Sequence, residues 1–211
     1  MDFEPSFLCS RQTDYPGTMF YLLLLTGLML MTSNLSASTA ADTRSLTDFT
    51  SATRDLGWYV VNDNVMGGRS QGDYNNSNGK LVFAGRTNTR GGGFSSLRTR
   101  TSPVDLSGYD GIRLRVKGDG RRYIWQLSTT AQFRGQDVRF WTGFDTKAST
   151  WSTVDLPFSA FTPRFRGQDL TGVSLDPAVV TGMGLMIYDG RDGEFAIEVD
   201  AVGAYVERAI E

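Results

Sequence analysis

Three aspartates, Asp63, Asp73 and Asp119, each stand beside residues that favour turns, and theirs is the first chemistry to weigh. Meeting at one rim, they would offer calcium the carboxylate and carbonyl oxygens it prefers. No EF-hand spacing brings them together, so no metal is expected. A carboxylate pair can also serve as acid and base in glycoside hydrolysis, but that mechanism needs a fixed separation, which spacing along a chain does not supply. Composition closes most other routes. The chain has no histidine, which removes Ser-His-Asp and Cys-His triads, imidazole zinc sites and the usual general base near neutral pH. The one cysteine is Cys9, so no internal disulfide, CxxC pair or thiol nucleophile exists beyond it. The expectation is no catalytic residue, no cofactor and a binding protein rather than an enzyme.

The densest stretch runs from Trp58 to Gly72. Trp58-Tyr59-Val60-Val61 reads as a strand, and Asn62-Asp63-Asn64 breaks it with side chains that bond their own backbone. Val65 and Met66 read as buried plugs. Gly67-Gly68 permits positive φ or a close approach of another segment, and Ser70 follows. By turn chemistry alone this is a strand, an Asx-type turn and a bulge; the sharper reading is a rim that holds a ligand or partner. Gly91-Gly92-Gly93 lacks the GxxxxGK[ST] pattern and no helical period follows it, so neither a P-loop nor a Rossmann fingerprint is present. Gly118-Asp119-Gly120-Arg121 reads as a hairpin. Trp58, Trp125, Trp141 and Trp151 are the sugar-stacking candidates, set against the commoner fate of core packing; Trp141 is the one expected to face outward, because Phe140 takes the other face.

The run Val61-Asn62-Asp63-x-Val65-Met66-Gly67-Gly68-x-Ser70 resembles the signature of the CIA30 family, the complex I intermediate-associated protein 30 domain. Further matches follow in order: Gly92-Gly93-Phe94, Tyr109-Asp110-Gly111, Gly118-Asp119-Gly120-Arg121, Trp151 with Leu156-Pro157-Phe158, and Phe165-Arg166-Gly167. The resemblance spans roughly Leu46 to Val206. It implies a galactose-binding-like, jelly-roll β-sandwich and a non-catalytic protein-interaction module of the assembly-factor kind. The residues it offers for binding are Asn62, Asp63, Met66, Gly67, Gly68, Ser70, Gly92, Gly93, Phe94, Asp119, Arg121, Phe165, Arg166 and Gly167. The alternative is an exported carbohydrate-binding module, and a carboxylate-based enzyme comes third.

The rest of the chain has to position these groups. Strand-like runs recur between glycine-rich turns, with no long amphipathic helix, which argues a single all-β antiparallel sandwich over residues 42–211. Ile112, Leu114 and Val116 alternate with Arg113, Arg115 and Lys117; Asn78-Gly79 marks a hairpin. Asp42 to Gly57 reads as an entry segment with a brief helical turn, Gln132 to Gln136 as a polar loop, and no internal repeat is expected. Charge is balanced from Asp42 onward, so no global field recruits nucleic acid. Lys80, Lys117 and Lys147 are the only lysines there, and arginine, whose planar fork suits carboxylates, supplies the remaining cations. Residues 1–41 form an extension whose apolar run, Phe20 to Met31, is too short for a stable span in the mature chain but fits a signal-peptide core. Export to a periplasmic or extracellular site is the expectation, with an anchor through residues 20–31 as the alternative.

Overall fold

Alternation with a period of two builds most of this molecule, because most strands bury one face and wet the other. Ile112, Leu114 and Val116 are fully buried, as are Tyr123, Trp125 and Leu127. The computed structural model describes residues 43–207. The strands are β1 (Thr43–Thr47), β2 (Tyr59–Asn62), β3 (Gln71–Ser77), β4 (Lys80–Thr87), β5 (Ser95–Arg98), β6 (Gly111–Lys117), β7 (Arg122–Phe133), β8 (Gln136–Asp145), β9 (Trp151–Pro157), β10 (Thr162–Phe165), β11 (Gln168–Asp169), β12 (Val180–Ile187) and β13 (Gly193–Tyr205). They form two antiparallel sheets: a six-stranded one ordered β3-β4-β13-β6-β9, with β1 also on β13, and a seven-stranded one ordered β11-β10-β8-β7-β12-β5-β2. Side chains from both inner faces, among them Phe83, Leu97, Phe140, Leu185 and Ile197, fill the space between the sheets. This is the expected jelly-roll sandwich.

The local readings that fail do so for physical reasons. The entry segment is a strand, not a helical turn, because Thr43 to Thr47 finds the free edge of β13 beyond the end of β4. Gly118 to Arg121 is not a hairpin: β6 and β7 lie in different sheets, and the turn crosses the end of the sandwich. Gln132 to Gln136 is not a loop, since β7 runs on to Phe133 and only Arg134-Gly135 turns the chain. Nor is the chain free of repeats. Phe133-Arg134-Gly135-Gln136-Asp137 recurs as Phe165-Arg166-Gly167-Gln168-Asp169. Both copies make two-residue turns with positive φ at Arg and Gly, the hairpin geometry that matches strand twist, as Asn78-Gly79 also does.

Candidate functional site

Asp63 is fully buried at the end of β2, in a 3-10 turn spanning Asp63–Met66. One carboxylate oxygen accepts the Ser70 N–H at 2.8 Å; the other accepts the Ser70 hydroxyl at 2.6 Å, the Gly93 N–H at 2.6 Å and the Phe94 N–H at 3.4 Å. Burial disfavours the charge, but the Gly93 N–H and the two Ser70 donors outweigh it and hold Asp63 below the usual carboxylate range. Ser70 in turn receives the Asn88 N–H at 3.0 Å. Beside it, the Asn62 side chain accepts from Gly72 N–H at 3.0 Å and from the Ser95 hydroxyl at 2.6 Å. The β2–β3 and β4–β5 connections both cross between the sheets, so these bonds clasp the two crossings together. Gly68 and Gly92 are glycines because a Cβ on either would run into the Asp63 carboxyl group.

Asp119 and Arg121 form a second closed knot at the same end. Arg121 is buried; its guanidinium donates to both Asp189 oxygens (2.9 and 2.5 Å), to the Thr87 hydroxyl at 3.0 Å and to the carbonyls of Arg191, Gly193 and Glu194. Asp119 accepts from the N–H groups of Arg121 and Ala196 and from the Tyr123 hydroxyl. Both oxygens of Asp119, which is half-buried, are engaged by protein donors. Asp63, Asp73 and Asp119 do not converge, and no three His, Cys, Asp or Glu side chains among the described residues are arranged to hold a metal.

Val65 and Met66 reverse the sequence reading. They are not plugs: they stand in solvent with 70% and 65% of their surface exposed. The tight turn that folds Asp63 inward leaves Val65 and Met66 nowhere to pack. Phe94, before β5, and Tyr188, after β12, meet edge to face at 6.2 Å on the same rim, with Tyr188 exposed. Phe165, Arg166 and Gly167 do not join this rim. Ser95 pairs with Asn62 and Ile187 at one end of the seven-stranded sheet, whereas Val180 pairs with Thr129 near the β7–β8 turn at the other end. There the twin turns sit together: the Phe133 and Phe165 rings lie 5.4 Å apart, and Arg134 and Arg166 each cover their own phenylalanine.

Between the two ends, the outward face of the seven-stranded sheet carries a feature that single residues did not announce. Register places Tyr59, Arg98, Gly184, Gln126, Trp141 and Thr162 in one row across five strand pairings. The next row holds Gly182, Ser128, Arg139 and Arg164. Gly182 and Gly184 leave the middle low, between Tyr59 and Trp141. Along the second row a cavity of about 630 Å³ opens, lined by Tyr59, Arg100, Ser128, Asp137, Arg139 and Gly182 among others. Trp58 and Trp125 are core residues; Trp141 faces outward as expected, but only half exposed, with the Arg164 guanidinium 5.4 Å over its ring.

Comparison with known proteins follows the signature. The family model described as "Complex I intermediate-associated protein 30 (CIA30)" matches residues 47–199. The chain belongs to the CIA30 family. Complex I intermediate-associated protein 30, mitochondrial, of Drosophila melanogaster is 28% identical over 53% of this chain and 42% of its own length. The Mus musculus protein of the same name is 25% identical over 72% of this chain and 53% of its own. The CIA30 match thus spans about half the length of these curated relatives. In structure the chain is similar to the family 11 carbohydrate-binding module of a Clostridium thermocellum cellulosomal cellulase, with a TM-score of 0.58 at 18% identity over 81% of this chain and 99% of that one. It is also similar to part of an agarase, with a TM-score of 0.57 at 10% identity over 80% of this chain and 25% of that one. At these identities the likeness shows the sandwich alone.

The relatives correct the expectation of export, since both are named as mitochondrial rather than exported proteins. The apolar run and the small residues from Ser36 to Ala41 fit a signal peptide, but its basic start is weak: Arg11 is the single basic residue before the run. That run lies outside the described residues. No helix among the described residues is long and apolar enough to cross a membrane.

Proposed function

We propose that this CIA30 domain is a non-catalytic docking module that holds a protein partner during the assembly of a complex I-type respiratory enzyme. Family membership supports the assembly-factor role. The observation that carries the docking role is the contrast at the signature turn: a saturated, buried carboxylate anchors the turn from which Val65 and Met66 stand in solvent. Large apolar side chains fixed outside a core are what a partner surface buries. Asn62, Asp63, Gly68, Ser70, Gly92 and Gly93 build the clasp, Asp119 and Arg121 brace it, and Val65, Met66, Phe94 and Tyr188 make the contact. Catalysis gains no support from the clasp carboxylates, since the oxygens of Asp63 and Asp119 are already engaged by protein donors. The test is affinity capture with the full chain from membranes of its native host, followed by native electrophoresis and mass spectrometry. Recovery of complex I subunits in sub-assemblies supports the proposal; a capture free of them overturns it.

A further inference from the structure

The two outward faces of the sandwich treat their cations differently. On the six-stranded sheet Lys80 and Lys117 pair with Glu198, Arg86 with Glu194, Arg113 with Asp155 and Arg115 with Asp200. On the seven-stranded sheet Arg164 pairs with Asp169 and Arg122 with Asp145, both towards the sheet margins. Arg98 and Arg139, in the low middle of the face, have no carboxylate partner among the described residues. Arg98 donates its Nε–H to the Ser96 hydroxyl at 3.0 Å, and Arg139 donates one Nη–H to the Ser128 hydroxyl at 2.9 Å. The other N–H groups of both forks have no protein acceptor among the described residues. Asp137 lines the cavity with Arg139 but is exposed and makes no ion pair among the described residues.

This arrangement is unfavourable in the isolated protein. Burial, and then the nearby charge of Arg139, pull Arg98 down to about 10. A half-buried cation facing another cation without an anion costs stability, and an anion between them removes that cost. The guanidinium fork matches a carboxylate in two parallel hydrogen bonds. Neutral sugar fits less well, because Arg164 already covers the Trp141 ring that a sugar would stack on. The cationic character continues to the twin turns, where Arg134 and Arg166 are exposed and unpaired with any carboxylate among the described residues. The opposite rim instead carries the exposed Val65, Met66 and Tyr188.

We infer that the trough between Tyr59 and Trp141 is a carboxylate-recognition site, in which Arg98 and Arg139 bind an acidic segment of the protein partner. This rests on the docking role proposed above and adds a second contact, separate from the Val65–Met66 rim.

The test uses the full chain and a decaglutamate peptide, titrated by calorimetry at two salt concentrations. Arg98→Gln with Arg139→Gln should weaken binding at least tenfold and flatten its salt dependence, while Arg115→Gln on the other sheet leaves both unchanged. The same double variant should melt at or above the wild-type temperature, whereas arginines that only brace the fold would lower it. Unchanged peptide binding, or a lowered melting temperature, overturns the inference. So does a hexagalacturonate that binds the wild type more tightly than the peptide, which would make the site one for an anionic sugar. In capture from host membranes, a double variant that retains the wild type's complex I subunits sinks this site and leaves the docking role standing. A wild type that captures none sinks the docking role, and the calorimetry still decides the trough.

Discussion

A side chain at residue 68 would occupy the space of the Asp63 carboxyl group, so Gly68 and Asp63 are fixed as a pair. The neighbouring glycine does different work. Gly67 has a φ of +84° and nothing within 4 Å of a Cβ built on it. Gly68→Ala therefore fails by collision and Gly67→Ala by backbone strain. Gly67→Ala should cost about 1–2 kcal/mol, the penalty of left-handed backbone for an L-residue. Gly68→Ala should cost more, about 2–4 kcal/mol, because the obstacle is a carboxylate bound on four sides. Urea denaturation of the two variants checks the order, and equal costs would break the argument.

Acid should loosen the clasp. Asp63 and Asp189 both sit below the usual carboxylate range, each despite burial, the first through Gly93 and Ser70 and the second through Arg121. A lowered folded-state value gives stability that is fully present above the unfolded value of about 4 and is lost as pH falls through the folded one. The melting temperature should hold above about pH 5 and fall steeply below pH 4. Asp63→Asn should lower stability at pH 7 by about 2–4 kcal/mol, since Gly93 and Ser70 lose their charged acceptor. The variant's acid slope should be shallower than the wild type's, and parallel melting curves against pH would refute the assignment.

Period and turn chemistry made most of the fold legible before any coordinates. Ile112, Leu114 and Val116, and Asn78-Gly79, carry local rules that long-range contacts did not overturn. The failures lie where a distant partner decides. Val65 and Met66 are apolar, and hydropathy alone sends them inward; their exposure follows from Asp63, whose donors Gly93 and Phe94 lie 30 and 31 residues away. Gly118 to Arg121 has a hairpin's composition, yet Arg121 is drawn inward by Asp189, 68 residues on. The Arg98–Arg139 trough was invisible because only strand register brings these residues onto one face. The repeated Phe-Arg-Gly-Gln-Asp stands in the sequence, but five residues are too short to register against the strand periods, and only its two turns packing together give it meaning.

Arg121 should not tolerate lysine. Its Nε and Nη groups reach Asp189 in a fork while the other N–H groups meet three carbonyls and Thr87, a set that one ammonium cannot reproduce. Arg121→Lys should cost about 2–3 kcal/mol, and Arg121→Ala about 3–5 kcal/mol because the buried Asp189 loses its countercharge and keeps only the Arg191 N–H. Adding Asp189→Asn to Arg121→Ala should recover part of the loss, since the orphaned charge disappears. Strict additivity in that double-mutant cycle would mean the two residues act separately.

The Val65–Met66 pair separates binding from folding most cleanly. Neither side chain contributes to the core, so Val65→Ser with Met66→Ser should shift stability by no more than about 0.5 kcal/mol, as surface substitutions do. If the pair is a partner contact, its removal should reduce recovery of complex I subunits at least tenfold in capture from host membranes. Circular dichroism melts run on the same preparations show that the fold is intact. Undiminished capture at unchanged stability would move the docking surface away from this rim and leave the clasp as a purely architectural device.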